Sequence, residues 1–125
     1  MFNFLRTKNK KPENLQEIVK QLDDLKKEIN ELSKNVDNLK KESKLCIQKI
    51  GIIRYNPFKE VGGDQSFSIA LLDANNNGLV ITGLFTRDGT RIYSKPIKSG
   101  LSEYILSLEE KEAIKKAINS DNQFL

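Results

Sequence analysis

The feature that most constrains this chain is a run of apolar residues set alternately three and four apart: Leu15, Ile18, Leu22, Leu25, Ile29, Leu32, Val36 and Leu39, continuing through Ser43, Cys46 and Ile50. That spacing keeps one stripe of an α-helix apolar over its whole length. It sets Leu15, Leu22, Ile29, Val36, Ser43 and Ile50 at position a of a heptad, and Ile18, Leu25, Leu32, Leu39 and Cys46 at position d. Pro12 suits a first helical turn and no Gly or Pro intervenes before Gly51. A helix is therefore predicted over residues 12–50, about 55 Å long at roughly 1.5 Å per residue. Alone, it would leave the stripe in water, so a partner helix is expected to cover it and the chain to form a homo-oligomer through a coiled coil. Ile29 and Val36 at a, with Leu25, Leu32 and Leu39 at d, favour two parallel strands. The flanking positions set Gln21 by Lys26, Glu28 by Ser33, Asn35 by Lys40 and Glu42 by Ile47, so charge does not fix the stoichiometry. Cys46 reads as a small apolar residue of the seam.

A chain of 125 residues leaves room beyond such a helix for one small domain. It contains no His and no Trp, and its one Cys can form no internal disulfide, which fits a reducing, cytoplasmic compartment. Without His, the usual zinc sites, Ser-His-Asp or Cys-His triads and imidazole acid/base catalysis are excluded, so no metal, cofactor or catalytic residue is assigned. The net charge of +4 lies at one end. Residues 1–11 hold Arg6, Lys8, Lys10 and Lys11 with no acid, and the remaining 17 cations balance 17 acids. A neutral body argues against extended nucleic-acid binding.

Phe2, Phe4 and Leu5 precede those four cations. The segment reads either as a solvated terminus or as a membrane-surface tip, its apolar side chains entering the interface while the cations meet anionic headgroups. No run reaches the roughly 18 apolar residues of a membrane span.

After Gly51 the pattern turns to short β-rich segments at Ile52–Asn56, Ser66–Asp73, Leu79–Thr86, Thr90–Ile97 and Glu103–Leu106. Asn56-Pro57 and Gly62-Gly63-Asp64 bracket a longer loop, Asn75-Asn76-Asn77-Gly78 makes one hairpin, and Asp88-Gly89 makes a tight second one. Ser107 and Glu110 form a capping box ahead of a helix whose apolar face is Leu108, Ala113, Ile114, Ala117 and Ile118. The fold class is thus α+β: a long N-terminal coiled-coil helix, then over residues 51–125 a small antiparallel meander covered by a C-terminal helix. A two-residue turn at Asp88-Gly89 would pair Phe85 with Ile92 and Leu84 with Tyr93. An odd Asn-rich loop would gather Phe67, Ile69, Leu71, Leu79, Ile81, Phe85 and Ile92 on one face. The helix is expected on that face, leaving Ser66, Ser68, Thr82, Thr86, Arg91, Tyr93 and Lys95 on the other, with Leu72, Val80 and Leu84 among them.

Arg54, Arg87, Arg91 and Lys95, with Tyr55 and Tyr93 nearby, are the cationic and aromatic grouping of this domain; with Asp64 at the Gly-Gly turn they make a candidate site for a small anion or an acidic peptide. The competing reading is a solvated strand face with arginines paired to Glu60, Asp64 or Asp88. Asp73-Ala74-Asn75-Asn76-Asn77-Gly78 opens like a calcium loop, but Leu84 stands where the bidentate Glu belongs, and a strand follows in place of a helix. Glu60, Asp64, Asp73 and Asp88 are the acids a carboxylate enzyme would have to use.

The runs Ile53-Arg54-Tyr55-Asn56-Pro57-Phe58, VGGDQSFSIALLD from Val61 to Asp73, and RDGTR from Arg87 to Arg91 closely resemble an uncharacterised bacterial family, the domain of unknown function numbered 4446. The resemblance covers about residues 50–119. It implies a short protein with an N-terminal transmembrane helix, a coiled coil and this domain on the cytoplasmic side; here only Phe2, Phe4 and Leu5 stand where that span would be. It implies no catalytic residue. The expectation that follows is a non-enzymatic, self-associating protein presenting a small β domain, with an anionic membrane surface as the partner of its tip.

Overall fold

A computed structural model describes residues 14–57 and 65–120. The chain divides between Lys40 and Lys41 into two compact units. Most of the first is helix α1, Leu15–Ser43. Asn14 caps it: its side-chain Oδ1 accepts the Glu17 amide at 2.9 Å, satisfying one of the orphan N–H groups of the first turn, and its carbonyl accepts the Ile18 amide. No residue of α1 is buried, and Leu15, Ile18, Leu22, Leu25, Ile29, Leu32, Val36 and Leu39 are all exposed.

The helix ends seven residues before the predicted limit. Leu45 and Cys46 amides donate to the Glu42 and Ser43 carbonyls in a closing turn, and the Cys46 thiol lies 3.6 Å from the Glu42 carbonyl. Strand β1, Lys49–Tyr55, follows at once and contains Ile50, so neither Cys46 nor Ile50 extends the stripe as helix. The reason is tertiary. Ile50, Ile52 and Ile53 are β-branched, and the segment gains a full ladder with the neighbouring strand that a last helical turn could not offer.

Strands β1, β2 (Ser66–Leu72), β3 (Gly78–Thr86) and β4 (Gly89–Ile97) form one antiparallel sheet in sequence order. Leu72 pairs with Gly78, so the Asn-rich loop holds an odd number of residues, as segregation of polarity requires. Asp73 organises that loop: its Oδ1 accepts the Asn75 and Asn77 amides, while Asn76, at φ 62°, accepts Lys49 Nζ on its side-chain oxygen at 2.7 Å. The oxygens of the calcium-like motif are thus spent on closing a hairpin. The second hairpin turns on Arg87-Asp88, one residue earlier than predicted. Gly89, at φ 142°, opens β4 opposite Thr86, so Phe85 pairs with Thr90 and Leu84 with Arg91. The glycine is needed beside the turn and not at its centre.

Helix α2, Leu108–Asn119, starts at the N-cap Ser107, whose hydroxyl accepts the Glu110 amide at 3.1 Å. It covers the sheet on the face opposite to the one predicted. The core is Ala70, Leu72, Val80, Ile97, Ala113, Ile114 and Ala117, with Ile53 and Leu106 packed against it. Gly51, Ser68 and Ala70 leave a shallow surface on which the helix backbone settles: a Cβ at Gly51 would overlap the Ala113 carbonyl oxygen. The bulkier face of Phe67, Ile69, Leu71, Leu79 and Ile81 would hold a helix too far away, and it remains half-exposed. Glu103–Leu106 forms no strand. Ser99 and Gly100, both at positive φ, turn the chain after β4, and an isolated bridge joins Lys98 to Leu101.

Candidate functional site

Because α2 takes the side of Ser66, Ser68 and Thr82, it forms a polar corner with β2, β3 and β4. Ser68 and Thr82, directly opposite in the β2–β3 register, share a hydrogen bond of 3.0 Å between hydroxyls, and Ser66 accepts the Phe85 amide; all three hydroxyl residues are buried. Tyr55, opposite Ser66, has a hydrogen bond with Ser68. Burial pushes its phenol above the usual 10.0, the Ser68 bond works against that, and Glu109, Tyr93 and Glu110 add to it as neighbouring negative charge.

Lys95 and Glu110 join β4 to α2. Lys95 Nζ donates to Glu110 Oε1 at 3.0 Å and to the Ile105 carbonyl at 2.8 Å, and lies 5.4 Å from the centre of the Tyr93 ring. Glu110 is 1% exposed, and its Oε2 has no hydrogen-bond partner among the described residues. The Ser107–Glu110 spacing predicts that this carboxylate completes a capping box. Only the Ser107 half of that box forms, and the Glu110 side chain turns to Lys95 instead. A buried carboxylate needs a cation more than it needs one amide.

The predicted anion site does not assemble as a single cluster. Arg91, Tyr93 and Lys95 share the α2 side of the sheet. Arg54, opposite Phe67, belongs to the other face, and Arg87 stands in the β3–β4 turn. Lys95 is committed to Glu110. Asp64, with Glu60 and the Gly-Gly turn, lies outside the described residues, as do Phe2, Phe4, Leu5, Arg6, Lys8, Lys10 and Lys11 of the tip. Among the described residues no group of three or more His, Cys, Asp or Glu is placed to hold a metal ion, and no helix is long and apolar enough to cross a membrane. Nothing local in the sequence relates β4 to the first turn of α2, so the Lys95–Glu110 pair is legible only in the tertiary structure.

These features define a class: a small α+β domain with a four-stranded meander and one covering helix, preceded by a helix with an exposed apolar stripe. The chain matches, over residues 2–118, the family described as "Protein of unknown function (DUF4446)", and it belongs to that family. The match begins well before the β domain and includes α1. No curated protein and no solved structure matches the chain.

Proposed function

We propose that this is a non-enzymatic protein that self-associates through α1, pairing it in parallel with the same helix of a second copy and so presenting two β domains. The observation that carries the reading is the stripe itself. Over four heptads each a and d position from Leu15 to Leu39 is apolar, and each of these side chains is at least 39% exposed. Water makes so long an apolar seam costly, and a second copy of the same seam is the most economical cover. Light scattering on the full chain at micromolar concentration is expected to give twice the 14.3 kDa chain mass. A monomer mass overturns the proposal.

The basic tip of residues 1–11 suits a place at the cytoplasmic face of a membrane. Co-sedimentation of the full chain with anionic vesicles, lost on neutral vesicles and in a chain starting at Pro12, is the expected result. Equal behaviour of the two chains removes the tip from the proposal. The small-anion reading is not carried further, because Lys95 already neutralises Glu110 and Arg54 lies across the sheet.

A further inference from the structure

We propose that the outer edge of β4 pairs with the same edge of a second copy, joining the two four-stranded sheets into one continuous sheet. β4 is the terminal strand of its sheet, and Thr90, Arg91, Ile92, Tyr93 and Ser94 are all exposed. In an antiparallel ladder alternate residues bond the same neighbour. Lys98 shows which set points away from β3: its amide donates to the Leu101 carbonyl at 2.8 Å, and its carbonyl accepts the Leu101 amide at 2.9 Å. Thr90, Ile92, Ser94 and Pro96 stand in step with Lys98, and Pro96, with no N–H to offer, suits an outward position. Among the described residues, no backbone bond outside the β3 ladder reaches Thr90, Ile92 or Ser94.

This template is its own complement. Pro96 closes it at one end and the Arg87-Asp88 turn at the other, so the usable outward residues are Thr90, Ile92 and Ser94, symmetric about Ile92. A second β4, antiparallel and centred on Ile92, uses all of them: Ile92 faces Ile92 and Thr90 faces Ser94, each pair exchanging N–H and C=O bonds. Pro96 then falls beside the other copy's turn, where no N–H is asked of it. On the α2 side Arg91 comes opposite Tyr93 and Lys95 opposite Gly89, so no like charges are directly opposed, and the two Arg91 residues are only diagonal neighbours. On the open face isoleucine meets isoleucine and hydroxyl meets hydroxyl. The contact is isologous, so it closes at two copies.

The pairing rests on self-association through α1. Three outward residues a side make an interface smaller than the roughly 1,000 Å² of a stable complex, so a free strand would hold poorly there. The coil supplies a second β4 at roughly millimolar effective concentration. That β4 is already ordered by its own ladder with β3, an ordering cost that a free peptide would still have to meet. The edges are expected to part when α1 unfolds.

Amide hydrogen exchange on the full-length chain, resolved by residue in NMR, tests the pairing. The inward amides of Arg91, Tyr93 and Lys95 are protected by β3 in any case. The outward amides of Thr90, Ile92 and Ser94 are expected to exchange on the order of a hundredfold more slowly than in an unstructured chain. Ser94→Pro removes one outward N–H and no bond to β3, and Ile92→Glu sets two carboxylates opposite each other. Each is expected to abolish the remaining outward protection while the inward protection and the dimer mass persist. Placing Asp at both Leu25 and Leu32 should abolish outward protection together with the dimer. Unprotected outward amides in a chain of dimer mass overturn the edge pairing and leave the α1 reading standing. Outward protection that survives Ile92→Glu, or survives in the monomeric coil variant, also overturns it and assigns the edge to another segment of the same chain. A monomer mass for the unaltered chain overturns the α1 reading, and the edge pairing with it.

Discussion

At the scale of single residues, the Lys95–Glu110 pair ties β4 to the first turn of α2. Removing the cation alone strands a buried carboxylate. Lys95→Met is expected to lower the unfolding free energy by about 3 kcal/mol in urea denaturation, whereas the double change Lys95→Met with Glu110→Leu should recover most of that loss. Equal losses in both would show that the pair matters through packing alone. Tyr55 gives a pH signature. Its phenol is held above 10.0, so the folded state binds that proton more tightly than the unfolded chain does. Its contribution is complete below pH 10 and is lost as pH rises through the folded value. Tyr55→Phe is expected to flatten the alkaline fall in stability above about pH 10; an unchanged slope would refute the assignment.

At the scale of elements, two small residues decide where α2 lies. Gly51 lets the backbone at Ala113 and Ala117 approach β1, and Ala70 keeps the adjacent surface low. Gly51→Val is expected to cost about 3 kcal/mol, the upper range for overpacking, because a side chain there meets backbone that cannot rotate away. Thermal unfolding measures it, and a stability within error of wild type would mean the helix can slide. For α1, placing Asp at both Leu25 and Leu32 should abolish self-association while the circular dichroism of the β domain persists. Loss of the β signal together with the dimer would mean the two units do not fold independently.

At the scale of the whole molecule, proposed self-association makes apparent stability depend on concentration. The unfolding midpoint of α1 is expected to rise by several degrees over a hundredfold increase in protein, while that of the β domain stays constant. One concentration-independent transition would contradict the dimer. The open sheet face, with Ile52, Phe85 and Ile92 exposed and Phe67, Ile69, Leu71, Leu79 and Ile81 half-exposed, is a further apolar surface among the described residues. Phe67 and Phe85 partly shield one another there, their ring centres 6.2 Å apart.

The local pattern by itself determined the helical run from Leu15 to Leu39, the four strands, the odd length of the Asn-rich loop and the Ser107 cap, because periodicity, turn chemistry and capping act within a few residues along the chain. The C-terminal limit of α1 was not legible. Ser43, Cys46 and Ile50 keep the heptad spacing, yet the ladder with β2 claims Ile50. Only the tertiary structure decided which sheet face receives α2. Polarity alone pointed to Phe67, Ile69 and Leu71, but close approach of a helix depends on surface relief, and the relief favoured Gly51, Ser68 and Ala70. That one choice brought Lys95 to Glu110, set the half-buried Tyr55 beside Ser68, and left the large apolar side chains on the open face.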